Sequence, residues 1–583
     1  MISDLPQRVR VLPDVAAIRR EFDYAVPSGW RDDGRAASLA VGSMVRVELH
    51  GRRVAGWVTE IDPESAADLE LRPLAKLSGV GPPAEIVELA RWAAHRWAGP
   101  VASFLGTASP PSMVTGTPSV SPGTTHGLPE VAEVREAFSG AGAVVRVPPL
   151  GDRWPFITGA TALGNALVLV PSLTQAHTVV GRLRRRGVTA ALAGRDWAAG
   201  AAGATVVGGR AAAFAPVGHL RSIVVIDEHD EVYQEERSPT WHAREVVLER
   251  ARRAGVPCVM TSPIPTPEAM GAVPLLDVSR ADERAGWPLV EVVDPREDAS
   301  SRGTLWTERV VQVLHQSERA AVVLNRKGRS RLLSCSACDA LAVCEVCDAA
   351  MRQGDDSAQL VCADGHERPV VCAECGGTAF KNLRIGVSRA REELEILLRR
   401  PVVEVTGDTD DRAIGDSGVL VGTEAVLHRV DQLDVVIFAD FDQELVAPRY
   451  RAAEQALGLI VRAGRLVGGR RDHSGMVVVQ SRQPGHPVLR AAISADIASW
   501  SEGEVARRQV LGYPPFKSIA EVSGPASETF IERFGQPLGV DIQGPVDGVY
   551  RLRAADAATL ADALAAVDRP KGRLRIAVDP VRS

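Results

Sequence analysis

The chain has few aromatic residues, little net charge and almost no cysteine outside one short segment. Phe, Trp and Tyr make up 4% of the 583 residues, and the formal net charge is −6. This charge excludes a strongly positive field over the whole surface, so any nucleic-acid partner must be held by local patches. Hydrophobic residues make up 45%, and the length predicts about three to five domains.

Long hydrophobic runs are also missing. No run of about 18 apolar residues is present, which argues against a transmembrane helix. The N-terminal stretch MISDLPQRVRVLPDV lacks the apolar core of a signal peptide. We therefore expect a soluble, cytoplasmic protein with reduced thiols and no membrane partner.

The order of sequence patterns predicts a multidomain α/β chain. Short strand-like segments come first, then a helical stretch, then a segment rich in Gly, Pro, Ser and Thr. The β–α alternation that follows is typical of doubly wound parallel lobes, and it occurs twice before a compact α+β tail. The predicted divisions are 1–105 (β-rich domain), 106–140 (flexible linker), 141–295 (first lobe), 296–516 (second lobe, with a cysteine-rich insertion at 334–377) and 517–583 (C-terminal domain).

The insertion contains seven of the eight cysteines, three CxxC pairs among them. With one histidine they make two complete sets of four ligands, as tetrahedral zinc requires. The predicted sets are Cys335, Cys338, Cys372 and Cys375 for one zinc, and Cys344, Cys347, Cys362 and His366 for the other. Both are interpreted as structural, because a catalytic zinc would keep a position open. A disulfide framework or a set of reactive thiols is the alternative, and a reducing compartment and the single dense cluster argue against it. Cys258, in the strand-like PCVM, is interpreted as a core residue.

The stretch IVVIDEHDEVY combines a buried strand with acidic residues at its end. Motor ATPases present the acids that hold magnesium and activate water in this way. Asp227 and Glu228 are therefore the candidate catalytic pair. Such an ATPase also needs a phosphate-binding loop upstream.

Several motifs of the chain carry information together: FDYAVP, GSMVRVELHGRRVAGWV, VGGRAAAFAP, IDEHDEVYQEE, LVGTEAV, PRYRAAEQALGLI and RRQVLGYPPF. In combination these segments resemble the PriA family of primosomal replication-restart proteins, which are superfamily 2 helicases. The resemblance implies two RecA-like lobes, a double-zinc insertion in the second lobe and an N-terminal domain that binds the 3′ end of a nascent DNA strand. The family has its eighth cysteine at position 365, where this chain has Gly365, and His366 is the predicted substitute.

The phosphate loop of the family, GxxxxGK[ST], is not preserved. The nearest match is Gly159-ATAL-Gly164, which is followed by Asn165 and Ala166 and leaves no room for a helix before the next strand. The place of the loop is more plausibly VPPLGDRWP, which has no Gly-Lys pair. Without the lysine and hydroxyl, the groups that cradle phosphate and magnesium are missing.

The arginine motif of the family, QVAGRAGR, is also incomplete. VRAGRLVGG keeps Arg465 but has Val461 and Gly468 in place of the glutamine and the second arginine. We therefore interpret Asp227 and Glu228 as relic acids that cap a turn or bind an arginine, with no cofactor-binding residues assigned for ATP and Mg²⁺.

Candidate DNA contacts lie in two places. In FDYAVP, Asp23 could accept a hydrogen bond from a 3′-OH and Tyr24 could stack on a base. The alternative is a strand in which Phe22 and Tyr24 are partly buried. In LNRKGRSR, the resemblance places Arg326, Lys327 and Arg329 near backbone phosphates. A rival basic patch is RLRRRG, residues 182–187, for which a solvated helix end is the commoner meaning.

Two functions from different classes fit these features. The first is a DNA-binding replication-restart protein without helicase activity, which recognises stalled forks in the nucleoid and works with single-strand-binding protein and a helicase loader, as the resemblance implies. The alternative is an active ATP-dependent 3′–5′ DNA helicase with divergent nucleotide motifs. A double-zinc transcription or RNA factor on a motor fold is a third reading, which leaves the N-terminal domain and LGYPPF unexplained.

Overall fold

The computed structural model describes most of the chain. The described residues are 5–15, 18–64, 71–121, 123–298, 305–324, 332–353, 359–362, 364–382, 387–406, 409–415, 418–469 and 475–581. None of the helices in these ranges combines the length and the apolar character needed to cross a bilayer.

The N-terminal region is an antiparallel five-stranded sheet with the order β2-β1-β4-β3-β5. Its elements are β1 (Arg8–Pro13), β2 (Phe22–Ala25), α1 (Gly29–Asp32), β3 (Met44–Leu49), β4 (Arg52–Ile61), β5 (Lys76–Gly79), α2 (Ala84–Arg96) and α3 (Val101–Ala108). In β3, Val45 and Val47 are buried and the residues between and after them are exposed, as period-two alternation predicts.

Helices α2 and α3 leave this sheet and pack on the first lobe. The ring of Phe104 lies 5.6 Å from that of Phe214 and 6.4 Å from that of Trp241, both in the lobe. Trp97 belongs to the same buried cluster. The N-terminal region and the first lobe therefore share a core.

The segment predicted as a linker is ordered against the first lobe at several points. The amide nitrogen of Ser121 donates to the carbonyl of Ala202 at 3.0 Å, and that of His126 donates to the carbonyl of Ala162 at 2.8 Å. Helix α4 (Ala132–Ala137) then buries Val134 and Ala137. The described residues between α3 and α4 form neither helix nor strand, but main-chain groups of this segment still pair with the lobe.

The first lobe is a parallel sheet with the order β14-β6-β13-β10-β7-β9-β8. Its strands are β6 (Val144–Arg146), β7 (Asn165–Leu169), β8 (Ala190–Leu192), β9 (Thr205–Gly208), β10 (Leu220–Ile226), β13 (Cys258–Ser262) and β14 (Leu275–Leu276), with the hairpin β11 (Gln234–Glu235) and β12 (Trp241–His242) beside it. Its helices are α5 (Trp154–Ala162), α6 (Leu173–Arg185), α7 (Trp197–Ala201), α8 (Ala243–Ala254), α9 (Pro267–Ala272) and α10 (Arg280–Ala285). Helices on both faces bury the strands, which explains their continuous apolar runs.

The second lobe repeats this plan with the order β15-β25-β24-β16-β23-β22. Its strands are β15 (Leu289–Val293), β16 (Ala320–Val323), β22 (Val403–Val405), β23 (Val419–Gly422), β24 (Val435–Phe438) and β25 (Met476–Gln480). Its helices are α11 (Glu308–Gln316), α12 (Val387–Leu398), α13 (Asp411–Gly415), α14 (Asp442–Leu445), α15 (Ala452–Val467), α16 (Pro487–Ser494) and α17 (Ile497–Leu511). Strand β15 pairs with β25, so it lies in the second sheet and not in the first lobe, where the predicted division at 295 put it.

Two smaller units complete the chain. The cysteine module contains β17 (Leu333–Cys335), β18 (Arg352–Gln353), β19 (Gln359–Val361), β20 (Glu367–Pro369) and β21 (Phe380–Asn382). The C-terminal domain contains β26 (Ser518–Ser523), α18 (Ser527–Phe534), β27 (Val540–Val546), β28 (Val549–Ala554), α19 (Ala557–Ala565) and β29 (Arg575–Val578), with the sheet order β27-β28-β26-β29. This domain has the α+β character predicted from the sequence.

Short 3-10 helices occur elsewhere in the chain, at Ala36–Ser38, Arg210–Phe214, Glu231–Tyr233 and Glu424–His428.

Candidate metal centre and interlobe cleft

The first group of thiols joins the two ends of the cysteine module. The Sγ atoms of Cys335 and Cys375 lie 3.5 Å apart, and those of Cys338 and Cys372 lie 3.6 Å apart. Antiparallel pairing of β17 with β21 brings the two CxxC turns together. A Cβ atom on Gly377 would lie only 3.2 Å from the Sγ of Cys335, so the close approach of thiols and backbone depends on glycine there.

The second group contains three thiols and one imidazole. The Sγ atoms of Cys347 and Cys362 are 3.7 Å apart, and Nδ1 of His366 lies 3.6 Å from Sγ of Cys344 and 3.4 Å from that of Cys362. Gly365 adopts a φ of +82°, a left-handed conformation that glycine takes without strain. The turn thereby presents His366 to the thiols.

Both groups have the dimensions of tetrahedral metal sites. The four ligand atoms of each group lie within 4.8 Å of one another. Zn–S bonds of about 2.3 Å separate the sulfur atoms of a tetrahedral site by about 3.8 Å, close to the distances observed. Each group could therefore hold one metal ion, and the two groups have the membership predicted from the sequence spacing.

Asp364 anchors the second group to the rest of the molecule. Its carboxylate accepts a hydrogen bond from the hydroxyl of Tyr513 at 2.7 Å and one from Nη1 of Arg551 at 2.9 Å. Burial alone would raise the pKa of Asp364, but these two partners lower it below its ordinary value. The Tyr513 ring stacks on Tyr450 of the second lobe with centroids 5.3 Å apart. Sequence reasoning missed Asp364, although its position between two ligands was visible.

The segment 147–155, where the resemblance places the phosphate loop, connects β6 to α5. Its residue Arg153 donates to the carbonyls of Pro148, Pro149 and Gly151 at 3.3, 3.2 and 2.7 Å. A phosphate loop presents its amide groups to an anion. In this loop, by contrast, three carbonyl groups accept hydrogen bonds from the guanidinium of Arg153, which belongs to the same loop. Gly159 lies inside α5, so the GxxxxG match does not form a loop.

Asp227 stands opposite this loop at the end of β10 and binds two arginines. It accepts from Nε of Arg153 at 3.0 Å and from Nη2 of Arg465, in α15 of the second lobe, at 2.7 Å. Its side chain is only 2% exposed. Burial would raise the pKa of Asp227, but the charges of Arg465 and Arg153 hold it far below its ordinary value. The carboxylate is therefore ionised and compensated by the protein itself.

Glu228 is fully buried and bound within the first lobe. It accepts from Nη1 of Arg244 at 3.0 Å, and from the amide and hydroxyl of Thr266 at 2.8 and 2.9 Å. Burial raises the pKa of Glu228 in spite of these partners. Both acids of the motor-like motif therefore bind arginines.

Further ion pairs cross the cleft between the lobes. Glu268 of α9 pairs with Arg451 and, at 3.1 Å, with Nη1 of Arg508. Asp230 pairs with Arg462 at 3.2 Å. The lobes are thus joined by several charged contacts in addition to the one at Asp227.

The altered positions of the arginine motif have structural roles. Val461 is buried in the core of the second lobe. Gly468 ends α15 with a φ of +83°, which glycine adopts without strain. Neither side chain offers a group that could reach a phosphate.

The structure places the residues predicted to contact DNA in different surroundings. Asp23 pairs with Nε of Arg10 at 2.8 Å. The ring of Tyr24 is buried, its hydroxyl donates to the carbonyl of Glu48 at 3.4 Å, and burial raises the pKa of Tyr24. Base stacking needs an open ring face, and the structure instead places Tyr24 in the core of the N-terminal sheet, because β2 turns this residue inwards. Arg326, Lys327 and Arg329 lie outside the described residues.

The rival basic patch lies at the end of α6. The guanidinium of Arg182 sits 3.9 Å from the ring centroid of Trp154, and that of Arg186 sits 5.5 Å from it. Arg184 pairs with Asp196 at 3.0 Å. Three arginines of the segment 182–187 therefore already contact other side chains of the first lobe.

Two parallel α/β lobes, with an acidic motif at a strand end of the first and a cysteine-rich insertion in the second, form the helicase-like fold that the motifs predicted. Residues 10–110 match the family model described as the 3′DNA-binding domain (3′BD) of PriA. This match, together with the relatives described next, confirms the resemblance to PriA found in the motifs.

The relatives differ in how much they share with this chain. The replication restart protein PriA of Bacillus subtilis is 29% identical over 54% of this chain and 43% of its own length, and that of Thermotoga maritima is 26% identical over 67% and 58%. The probable replication restart protein PriA of Mycobacterium tuberculosis is 28% identical over 91% of this chain and 90% of its own. The chain thus spans about half of the first two relatives and nearly all of the third. A structure of a point variant of S. cerevisiae Dbp5, bound to RNA and ADP BeF3, overlaps 63% of this chain and 88% of its own, with 11% identity and a TM-score of 0.33.

Proposed function

We propose that this protein is a DNA-binding replication-restart protein whose motor fold acts as a scaffold and does not turn over ATP. One observation carries the proposal: Arg153 and Arg465 both bind Asp227 where a motor would hold phosphate and magnesium. Binding a nucleotide would require both ion pairs to break, and the loop offers no lysine to replace them.

The decisive measurement is ATP hydrolysis with fork DNA at high protein concentration. The expected result is no turnover above background. A DNA-stimulated rate on the order of 1 per second or more that disappears in Glu228→Gln would establish the alternative, an active helicase with divergent motifs. A rate that persists in Glu228→Gln would indicate a contaminating enzyme.

We also propose that the protein binds branched DNA and reads a free 3′ end. The match of residues 10–110 to the 3′DNA-binding domain supports this. The test compares forks that end in a 3′-hydroxyl with forks that end in a 3′-phosphate, using the full chain because α2 and α3 share a core with the first lobe. Tighter binding of the hydroxyl form is expected, and equal binding of the two forks would contradict end reading.

The basic segment Arg326, Lys327 and Arg329 is proposed to hold backbone phosphate. Lys327→Ala with Arg329→Ala should weaken the binding of all DNA substrates alike. Each lost phosphate contact should lower the log–log salt slope by about 0.7 to 0.9. A change confined to 3′-hydroxyl forks would instead assign the segment to end recognition. A loss of DNA binding in Arg185→Ala, at an exposed position on α6, would instead assign the phosphate contact to the rival patch.

The metal in both cysteine groups is proposed to be zinc, held as a structural ion. Thiolate and imidazole ligands in closed sets of four support this choice. Bound zinc would cross-link the two ends of the module and the loop around Asp364. The proposed protein partners are single-strand-binding protein and a replicative helicase loader, and co-purification of assembled complexes on fork DNA is the test for them.

A further inference from the structure

The outward face of strands β3 to β5 in the N-terminal sheet carries a basic patch formed by Arg46, Arg53 and Lys76. In β3, Arg46 lies between two buried valines, so its side chain points away from the core. Lys76 of β5 is the register partner of Arg46 on one side. On the other side the partner is Ala55 of β4. Arg53, two residues from Ala55 along β4, therefore faces the same way.

The protein supplies no partner for these cations. All three are exposed, and none forms an ion pair or a side-chain hydrogen bond with another described residue. Glu48, the register partner of Arg53, pairs instead with Arg72 at 3.8 Å. Like charges directly opposite each other destabilise a sheet, so the pair of Arg46 and Lys76 has a cost that nothing within the described residues offsets. An anion outside the protein would offset it.

The patch offers no stacking surface for bases. Trp57, the aromatic residue on the outward face of β4, is buried, and its Nε1 donates to the hydroxyl of Ser109 at 2.9 Å. Proteins that hold single strands stack the bases on exposed aromatic rings. Exposed cations without such rings suit the phosphates of a duplex, in which the bases already stack on each other.

The patch is separate from the predicted end-reading residue. Asp23 lies in β2, and β2 and β5 are the two opposite edges of the sheet. At its own edge Asp23 is held by Arg10, so the charges there are compensated, whereas those of the patch are not. The two edges therefore present different chemistry to DNA.

We propose that the patch formed by Arg46, Arg53 and Lys76 binds the phosphate backbone of duplex DNA. This inference rests on the proposed binding of branched DNA and adds to it a second contact surface in the same domain, which lies within the match to the 3′DNA-binding domain. Because the chain has a net charge of −6, attraction to DNA must come from such local groups of unpaired cations.

The test measures binding of the full chain to forks with duplex arms by fluorescence anisotropy over a range of salt concentrations. Arg46→Gln with Lys76→Gln should lower the log–log salt slope by about 1.8, because two phosphate contacts on a duplex are lost. Arg52→Gln is the matched control. Arg52 is exposed and next to Arg53, but it faces the other side of β4, so its loss should leave the slope unchanged.

The outcomes separate this proposal from the proposed function. If the wild-type chain binds forks but the double variant has the wild-type slope, or the same slope as Arg52→Gln, the patch does not hold backbone. A loss confined to single-stranded oligo(dT), or to forks with a free 3′-hydroxyl, would also overturn the proposal, since a duplex contact is independent of both. A wild-type chain that does not bind forks would overturn the proposed function, and this inference with it.

A stability measurement guards against a merely structural role. The midpoint of denaturant unfolding for Arg46→Gln with Lys76→Gln should equal or exceed that of the wild type, because a like-charge pair is removed. A lower midpoint would show that the protein itself stabilises these cations, and it would contradict the assignment of an external anion.

Discussion

The cysteine module and the cleft between the lobes both gather groups that could hold an ion, but among the described residues the two acids of the motif in the cleft are already bound by arginines. In the module, eight ligand residues converge on two centres, with thiols and an imidazole as near neighbours. In the cleft, Asp227 is bound by Arg153 and Arg465, and Glu228 by Arg244. The comparison teaches that residue types alone do not make a binding site. What matters is whether the protein supplies its own partners for them.

The largest expected effect is the loss of a metal from the module. Cys344→Ser should remove the second metal and unfold this part of the module, because structural zinc contributes on the order of 10 kcal/mol to folding. Metal analysis and limited proteolysis within residues 332–382 measure the effect. Cys258→Ala is the matched control, since this buried thiol lies in β13 outside both groups. If Cys344→Ser keeps both metals tightly bound, Cys344 is not a ligand and the contrast between the module and the cleft fails.

The next effect is on the cleft. Asp227→Ala should lower the free energy of unfolding by about 3–5 kcal/mol, because it leaves two arginines without their buried partner. Denaturant unfolding measures the change. Asp230→Ala, which removes the less buried pair with Arg462 and a helix cap on the amide of Val232, should cost less, about 1–2 kcal/mol. If the two variants are equally stable, the ion pairs of Asp227 do not hold the two lobes together.

The same carboxylate predicts a pH dependence. The folded state lowers the pKa of Asp227 below its unfolded value, so its stabilisation is fully present above the unfolded pKa of about 4 and is lost as the pH falls through the folded pKa. Asp227→Asn should therefore show a weaker loss of stability than wild type on the acid side of about pH 4. Parallel stability curves for the two proteins would contradict the assignment.

A smaller effect is expected for the imidazole ligand. His366→Ala should lower the metal content from about two towards one per chain, or weaken the second site, since three thiolates can still hold zinc with water as the fourth ligand. His366→Cys should keep both metals. Metal content after dialysis against a mild chelator distinguishes the variants, and an alanine variant with both metals retained would remove His366 from the ligand set.

The smallest effect concerns the anchor of the module. Asp364→Asn should keep both metals and cost about 1–2 kcal/mol, because the charged hydrogen bond from Arg551 is weakened while Tyr513 can still donate. Asp547→Asn is the control, since its pair with Arg352 at 3.2 Å is largely exposed. Loss of a metal in Asp364→Asn would show that the anchor is part of the metal site itself.

The sequence by itself determined the local features of this protein. CxxC spacing places two thiols on one tight turn, so the two ligand groups followed from the positions of the cysteines and His366. Alternating β and α patterns predicted both lobes, because each buried strand and its covering helix are encoded in consecutive residues. The missing Gly-Lys pair predicts a loop that does not cradle phosphate, and the measurement of ATP hydrolysis tests this prediction.

Only the tertiary structure decided which distant groups meet. Arg465 is 238 residues from Asp227, and Tyr513 is 149 residues from Asp364. Local patterns also left the inward position of Tyr24 undecided, and they assigned β15 to the wrong lobe. The physical reason is that the periodicity of helices and strands, and the spacing of their apolar residues, are encoded in residues close together in the sequence. The partner of a buried charge depends instead on which elements pack against it, and these can come from distant parts of the chain.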